Sequence, residues 1–517
     1  MLEQMSAALD RLVGIISPRN ALKRVYYRKA LKRYAAAEDD RLTGGWSPTN
    51  TNVNDLIRGS SSKVRGRVRQ LVRDFPFFKR AVQIGVDYTV GGGILYQSRI
   101  LRPDGKLDKR LNQEFEDAFK FWADEADVAG KLHFYEMMNL AKRQDMESGE
   151  FILAFVKPRR PRPYLNLALQ MFEAEWLADT PAGVITGGNY FDQGIEYHKG
   201  SGYILAYHFT DPESYGRSIR IPAKDVVHGF ETLRPGQLRG ISPFTPAIML
   251  AHDIGELIIS EVDAAKMASK YLAIVTAENP AERQTNIITD TETNKKLDVL
   301  ENAVIEYLRP GEKIDIATNP RPDSNLYNAV TLLARMISIT VGLPFELLAG
   351  DYTGFSWSTG RISRNDFAQQ LRPISLRHIR QYCLPVARAF YDRAIYQGKV
   401  TVPYAKYMLN NESIFRSEWQ PPGMDWIDPL KESKAALDQV KSLQKSPQEF
   451  MRARGKDPEE VLKDIADFRD MAKDYKLGDF FDALFQQKIS TATANNPDAV
   501  MNDQGKSSKQ LQIVRGT

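Results

Sequence analysis

Residues 246–272 read PAIMLAHDIGELIISEVDAAKMASKYL, and this stretch carries the clearest helix signal in the chain. Apolar side chains recur every three or four residues along it, which places them in one stripe on a helix surface. At about 1.5 Å per residue the helix would extend on the order of 40 Å. The stripe consists of Leu250, Ile254, Leu257, Ile258, Val262, Ala265, Ala268 and Leu272.

On the C-terminal side of this helix the pattern changes to strands and then returns to helix. Residues 301–317, ENAVIEYLRPGEKIDIA, predict two strands joined by a turn at 309–312. A second helix is predicted over about 325–341, between polar residues that can cap its start and Gly342. The order is therefore a long helix, a small β insert and another helix.

A third helix is predicted from about Gly360 to Gln397. Its apolar stripe is continuous, but Pro373 and Pro385 are expected to kink it or break it into pieces. The segment before it, LLAGDYTGFSWSTGR (residues 347–361), is too polar for a core and too aromatic for an ordinary linker. It is compatible with a substrate loop, a nucleophile turn or a contact surface.

Two basic stretches lie near the N-terminus. Seven basic residues and no acidic one occur over residues 19–33, and alternating arginines occur over 63–73. The first is compatible with phosphate contact, with a solvated helix face or with a surface that meets another protein, and the second is a further candidate for phosphate contact. Residues 46–62 between them predict a polar linker.

The next part of the chain combines helices and strands. Val82, Val86, Val90 and Ile94 predict a buried helix stripe, which the glycines at 91–93 end. Residues 108–148 are predicted to be helical. From residue 151 to 228 short apolar runs are punctuated by Gly, Pro and Asp, as is typical of strands. The fold class is therefore α+β.

Composition sets wide limits on function. The chain has 517 residues and a net charge of only +5, so any DNA contact must come from local charge patterning. Cys383 is the only cysteine, which excludes an intramolecular disulfide. No run of eighteen apolar residues and no signal-peptide pattern occurs, so no membrane association is expected.

The motifs of common enzymes are not met. The glycines at 91–93 lack the Gly-Lys-Ser/Thr of a P-loop, and Lys295 stands where a calcium loop needs glycine. Gly354 and Ser356 begin a nucleophile elbow, but Ser358 replaces its second glycine. We therefore expect a non-enzymatic protein without cofactor or metal.

Four stretches in sequence order resemble segments of one known family. They are VRQLVRDFPFFKRAVQIGVDYTVGGGI (68–94), ETLRPGQLRGISPFTPAIM (231–249), GLPFELLAGDYTGFSWSTGR (342–361) and MDWIDPLKESKAALDQV (424–440). In these stretches the chain resembles the portal proteins of tailed bacteriophages, specifically the lambda-like family. The resemblance implies a portal fold with a mixed α/β wing, long stem helices, a small clip insert and a helical crown.

The resemblance also implies domain boundaries. They are a basic arm and linker at 1–57, wing at 58–240, stem helix at 241–272, clip at 273–324, second stem helix at 325–343, tunnel loop at 344–360, wing helix and return segment at 361–424, crown at 425–486 and disordered tail at 487–517.

The function implied is a ring, usually of twelve subunits, at one capsid vertex in the virion. Double-stranded DNA would pass through it during packaging and ejection. The implied partners are the terminase large subunit, the major capsid and scaffolding proteins, and a head–tail connector protein. Assembly would take place in the host cytoplasm.

Three groups of residues are candidates for these contacts. The tunnel loop would present Asp351, Tyr352, Thr353, Phe355, Ser356, Trp357, Ser358 and Thr359 to DNA or to a neighbouring subunit. Candidate phosphate contacts are Arg24, Arg28, Lys32, Arg65, Arg67 and Arg69. The clip would dock the motor and the connector through Arg309, Glu312 and Lys313.

Two other functions remain open from the sequence. One is a monomeric nucleic-acid-binding protein that uses the basic segments at 19–33 and 63–73. The other is a hydrolase with an unrecognised site around Ser356 or Ser358.

Overall fold

The computed structural model divides the chain into two compact units, residues 1–56 and 57–517. In the first unit the described residues include a short helical piece at 18–20. The structure describes residues 50–158, 164–185, 187–210, 218–270, 324–354, 356–403, 414–423, 429–452 and 456–475, with short pieces at 17–20, 23, 274–277, 288–289, 296–297, 312–315, 454 and 477.

Helix α1 spans Val53–Asp74 and so covers much of the predicted linker at 46–62, which corrects that prediction. Its sequence is polar, yet Ile57, Val68 and Val72 are buried along one side. A narrow apolar stripe is enough to hold a helix when tertiary packing covers it. The polar composition of the segment therefore gave no indication of the helix.

Helix α2 (Pro76–Thr89) follows after one residue and ends as expected. The predicted stripe is confirmed, since Val82, Val86, Val90 and Ile94 are all buried. Gly91 then adopts a φ of 55°, a conformation that glycine takes without steric cost and that ends the helix.

The mixed α+β fold class is confirmed by the elements that follow. They are β1 (Leu95–Ser98), α3 (Lys109–Ala123), α4 (Phe134–Glu147), β2 (Glu150–Val156), β3 (Ala168–Phe172), β4 (Asn189–Asp192), β5 (Ile195–His198), β6 (Ile204–Thr210), β7 (Ser218–Pro222) and β8 (Val226–Phe230). These strands form three antiparallel sheets: a ribbon of β1 with the later strand Ser417–Gln420 (β13), a sheet in the order β3-β2-β8, and a meander β4-β5-β6-β7.

The long helix of the sequence analysis is α5, Ile248–Lys270. After it, β9 (Ile274–Ala277) pairs with β12 (Glu312–Asp315), and β10 (Ile288–Thr289) pairs with β11 (Lys296–Leu297). The predicted strand at the C-terminal side of the 309–312 turn is thus confirmed as β12. The segment 298–311 lies outside the described residues.

The C-terminal half of the second unit is mainly helical. The predicted helix at 325–341 is confirmed as α6, and one continuous path of α-helix and π-helix covers most of 360–397. The elements are α6 (Ser324–Val341), α7 (Phe345–Ala349), α8 (Trp357–His378), a π turn (Ile379–Cys383), α9 (Leu384–Tyr396), β13 (Ser417–Gln420), α10 (Pro429–Lys441), α11 (Pro447–Arg452) and α12 (Pro458–Asp474).

Two large apolar clusters hold this unit together. One is rich in aromatic rings and includes Trp122, Phe390 and Tyr391 between α3, α4 and α9. The other joins α1, α2, α5, α6, α7 and α8 through residues such as Phe78 and Ile337. The second cluster anchors both ends of the loop that precedes α8. The predicted tail at 487–517 lies outside the described residues.

Candidate functional site: the loop at residues 350–356

The loop is shorter than the predicted 344–360, because helices occupy both of its ends. Pro344 precedes α7, and Gly350 ends that short helix with a φ of 68°. At the other end the Ser356 side chain accepts a hydrogen bond from the Thr359 amide at 3.2 Å and so caps α8. Trp357, Ser358 and Thr359 therefore belong to the first turn of α8.

The only acid of the loop is tied into the loop itself. Asp351 accepts hydrogen bonds from the Thr353 hydroxyl and from the Thr353 amide, the latter at 3.0 Å. These bonds hold the pKa of the Asp351 carboxyl below its ordinary value. Gly354 follows with a φ of 74°, which completes a tight turn. The acid thus shapes the loop and remains ionised near neutral pH.

Two aromatic side chains of the site face solvent. Tyr352 is 58% exposed and Trp357 is 51% exposed. The guanidinium carbon of Arg361 lies 5.6 Å from the centre of the Trp357 ring, and the Lys431 ammonium lies 5.4 Å from it. Cations at such distances are attracted to the indole face.

One of these two cations could not be assigned to the site from the sequence. Lys431 comes from α10, which is remote in sequence, and no sequence signal connects it with Trp357. Together Lys431 and Arg361 place two positive charges beside the loop.

A groove of about 810 Å³ runs under the loop. Acidic, basic and aromatic side chains share its wall, and they come from α2, α7, α8 and the loop. Those that define its character are Asp87, Tyr88, Glu346, Tyr352, Trp357 and Arg364.

The candidate phosphate contacts on α1 have different surroundings from one another. The buried Arg65 has its Nε atom 2.9 Å from Glu175, and Arg69 has a nitrogen 3.0 Å from the same carboxylate. Arg67 is exposed. Because acids already neutralise Arg65 and Arg69, we leave both out of the proposed phosphate contacts.

Several predicted site residues lie outside the described residues. They are Arg24, Arg28, Lys32, Arg309 and Phe355. Glu312 and Lys313 lie on β12, where Glu312 pairs with Ala277 and Lys313 with Thr276 across the ribbon.

The described residues also bear on metal and membrane binding. Among them, no group of three His, Cys, Asp or Glu side chains is placed to hold a metal ion. No helix in the same part of the chain is both long and apolar enough to cross a bilayer.

Comparison with known proteins gives consistent matches. Residues 39–374, more than half of the chain, match the family described as phage portal protein, lambda family. A probable portal protein of Halomonas phage phiHAP-1 is 24% identical over 470 residues, which cover 86% of this chain and 88% of that protein. Portal protein B of Escherichia phage lambda is 21% identical over 469 residues, which cover 81% and 85%.

Among solved structures, similarity extends to the neck of an empty gene transfer agent particle. The TM-score is 0.45 and the identity 14%, and the match covers 76% of this chain and 94% of that one.

Proposed function

Because the chain belongs to the lambda family of phage portal proteins, we propose that its copies form a ring through which double-stranded DNA enters and leaves a capsid. The ring would occupy one vertex of the virion and contain twelve subunits. It would be a passive conduit, with the energy for packaging supplied by a separate ATPase, the terminase.

The observation that carries the ring is an uncovered apolar surface on α5 and α6. Ile254 and Ile337 are buried where the two helices join the core, but large apolar side chains elsewhere on both helices are exposed. Ile259 is 62% exposed and Ile339 79% exposed. Exposed apolar side chains on neighbouring helices are typical of protein interfaces. We propose that a second copy of the chain covers them.

We propose the following parts for the subunit. Residues 58–240 and 361–424 form the wing, 241–272 and 325–343 the stem, 273–324 the clip, 344–360 the region of the tunnel loop, and 425–486 the crown.

The DNA contact is proposed for the loop at 350–356 and the first turn of α8. Tyr352 and Trp357 offer exposed rings, and Ser358 and Thr359 offer hydroxyl groups. Arg361 and Lys431 add a mild attraction for phosphates. Two cations per subunit would keep DNA near the wall without the strong binding of a densely basic channel.

The clip is the proposed docking site for the terminase large subunit and later for the head–tail connector. Its described core is the β9–β12 pair, which includes Glu312 and Lys313. The wing is the proposed contact with the capsid and scaffolding proteins.

Light scattering combined with negative-stain imaging tests the ring directly. We expect rings for the natural chain and monomers for Ile339→Asp, because a charge would be buried in the interface. Val184→Asp is the matched control, since Val184 is 93% exposed and lies on a loop between strands. A natural chain that stays monomeric, or an Ile339→Asp variant that still forms rings, would contradict the proposal.

The two other functions gain no support. Arg65 and Arg69 of the basic segment at 63–73 already pair with acids. Ser356 caps α8, and its Oγ lies 3.0 Å from Ser358 Oγ and 2.8 Å from Thr359 Oγ1, neither of which is a general base.

A further inference from the structure

A second cleft, of about 400 Å³, lies beside the β1–β13 ribbon. Three arginines from three separate segments line it: Arg99 after β1, Arg416 before β13, and Arg452 at the end of α11. The ribbon sets the first two side by side, because the Arg99 amide donates to the Arg416 carbonyl at 2.8 Å. Three like charges in one small cleft require anions nearby.

Two acidic residues of the chain supply part of the negative charge that the arginines need. Glu418 bridges two of the arginines: its Oε2 lies 2.9 Å from Arg99 Nε, and its Oε1 lies 3.2 Å from Arg452 Nη1. Glu459 is largely exposed, and its Oε1 makes a longer contact, 3.6 Å, with Arg99 Nη1. The Arg416 guanidinium forms no ion pair or side-chain hydrogen bond within the described part of the chain. Three guanidinium groups against two carboxylates leave one positive charge.

Buried polar atoms around the arginines also lack partners among the described residues. They are Gln97 Nε2, Gln420 Oε1 and Arg452 Nε. Gln97 accepts a hydrogen bond from Arg99, and Gln420 donates one to the Arg452 carbonyl, so both amides contact arginines of the cleft without lining it. Unpartnered buried polar atoms cost free energy, and of the three only Arg452 Nε belongs to a residue that lines the cleft.

Glu116 also interacts electrostatically with Arg99, but it competes only weakly. Burial raises the pKa of Glu116, whose side chain accepts from the Ser98 amide at 2.9 Å, to about 7. This carboxyl is therefore partly protonated at neutral pH and adds less than a full negative charge.

We propose that this cleft binds one carboxylate, carried by an Asp or Glu side chain of a partner protein. A single carboxylate matches the one surplus positive charge, whereas a doubly charged phosphate would be repelled by Glu418 and Glu459. The planar fork of arginine fits a carboxylate through two hydrogen bonds. The incoming group would replace the long contact of Glu459 and pair with Arg416.

The size of the cleft supports a side chain as the occupant. A volume of about 400 Å³ accommodates one acidic side chain. The proposal is thus separate from the DNA contact at the loop and does not rest on it.

Calorimetric titration of the full chain at low ionic strength tests the proposal. The probes are N-acetyl-glutamate methylamide, its neutral glutamine analogue, and inorganic phosphate. We expect saturable binding of the glutamate probe, weaker binding of phosphate and none of the glutamine analogue. Arg416→Gln should weaken binding about tenfold, the loss of one charge-assisted hydrogen bond. Glu459→Gln should strengthen it by removing the competing acid.

Arg372→Gln is the matched control, since Arg372 is an exposed arginine on α8 outside the cleft. It should bind the glutamate probe like the natural chain, and unchanged melting temperatures would confirm that all variants fold. Equal binding by Arg416→Gln and the natural chain, or no binding of the glutamate probe at all, would overturn the site. Tighter binding of phosphate than of the glutamate probe would overturn the carboxylate assignment.

Discussion

At the scale of single residues, Glu150 connects the segment 231–249 to the rest of the unit. Its fully buried carboxylate receives hydrogen bonds from Arg239 Nε at 2.9 Å, the Gly240 amide at 2.9 Å and His228 Nε2 at 3.0 Å. Burial disfavours the charged form, but Arg239 outweighs it and holds the pKa of Glu150 well below its ordinary range. The pair therefore stabilises the fold above the ordinary carboxyl pKa and stops doing so as the pH falls.

Removing one partner of this pair should be costly. Arg239→Met removes the nearest positive charge from this buried carboxylate, which would keep, among the described residues, only His228 and the more distant Arg65 Nη1 at 3.8 Å. We expect the free energy of unfolding to fall by about 3–5 kcal/mol. Urea denaturation at pH 7 measures the change. Arg69→Met is the control, because its partners Glu173 and Glu175 are partly exposed and its loss should stay within about 1 kcal/mol. Equal losses in the two variants would contradict the role of Arg239.

His378 is a second residue whose burial has a measurable consequence. It stacks on Tyr382 with ring centres 5.3 Å apart, and it is buried near Lys142. Burial first, and then the positive charge of Lys142, lower the pKa of His378 to about 3. In the unfolded chain His378 binds a proton near pH 6.5, whereas in the folded chain it stays neutral at that pH. His378 therefore lowers the free energy of unfolding as the pH drops below about 6.5.

Replacing His378 should therefore change the pH dependence of stability. Between pH 6 and 4.5, we expect the free energy of unfolding of His378→Phe to fall less steeply than that of the natural chain, by up to about 1.4 kcal/mol per pH unit. Urea denaturation across this range gives both slopes. Arg372→Gln, at an exposed arginine, should retain the natural slope. A parallel slope in His378→Phe would show that His378 does not titrate differentially.

At the scale of elements, the helix after the loop shows how proline is accommodated. Pro373 lies inside α8 and Pro385 lies in the first turn of α9, which a π turn at Ile379–Cys383 joins to α8. The Leu384 amide bonds to the Ile379 carbonyl, one residue farther back than in an α-helix. At Pro385 the helix therefore does not break but changes its hydrogen-bond register. Pro385, which has no amide hydrogen, thereby lies in the first turn of α9, where the amide needs no partner within the helix.

The proposed clip can be removed without opening its base. Ala277 and Glu312 face each other across the β9–β12 pair, so Asn-Gly in place of residues 278–311 would close a two-residue hairpin. We expect rings to form as usual but DNA packaging by the terminase to be lost, because only the β9–β12 base of the proposed docking surface would remain. Packaged DNA per particle measures the effect. Packaging at the natural level would refute the clip assignment.

At the scale of the whole molecule, the proposed passage of DNA would depend on which side chains each subunit presents to the channel. We expect the double variant Arg361→Gln, Lys431→Gln to form normal rings but to hold DNA less well. Each cation that contacts a phosphate should lower the salt-dependence slope of DNA binding by about 1. DNA binding to isolated rings at several salt concentrations tests this.

The matched control for DNA binding is Lys434→Gln, on the exposed surface of the same helix as Lys431. It should keep the natural slope and the natural DNA content of particles. An unchanged slope in the double variant would remove Arg361 and Lys431 from the DNA contact.

The sequence alone determined the fold class, the family and the approximate bounds of the long helices. The predicted helix at 246–272 corresponds to Ile248–Lys270, and that at 325–341 corresponds to Ser324–Val341. These features are readable because helix periodicity and end signals lie within a few residues of one another.

Only the tertiary structure decided which charges meet. The pairing of Arg65 with Glu175, the position of Lys431 over Trp357 and the three arginines of the second cleft join residues far apart in the chain. A charged side chain carries no local mark of its partner, because its pairing depends on how distant elements pack. For the same reason the polar composition of residues 53–62 predicted a linker. In the structure this segment is part of α1, whose Ile57 and Val68 are buried on the side that faces the core.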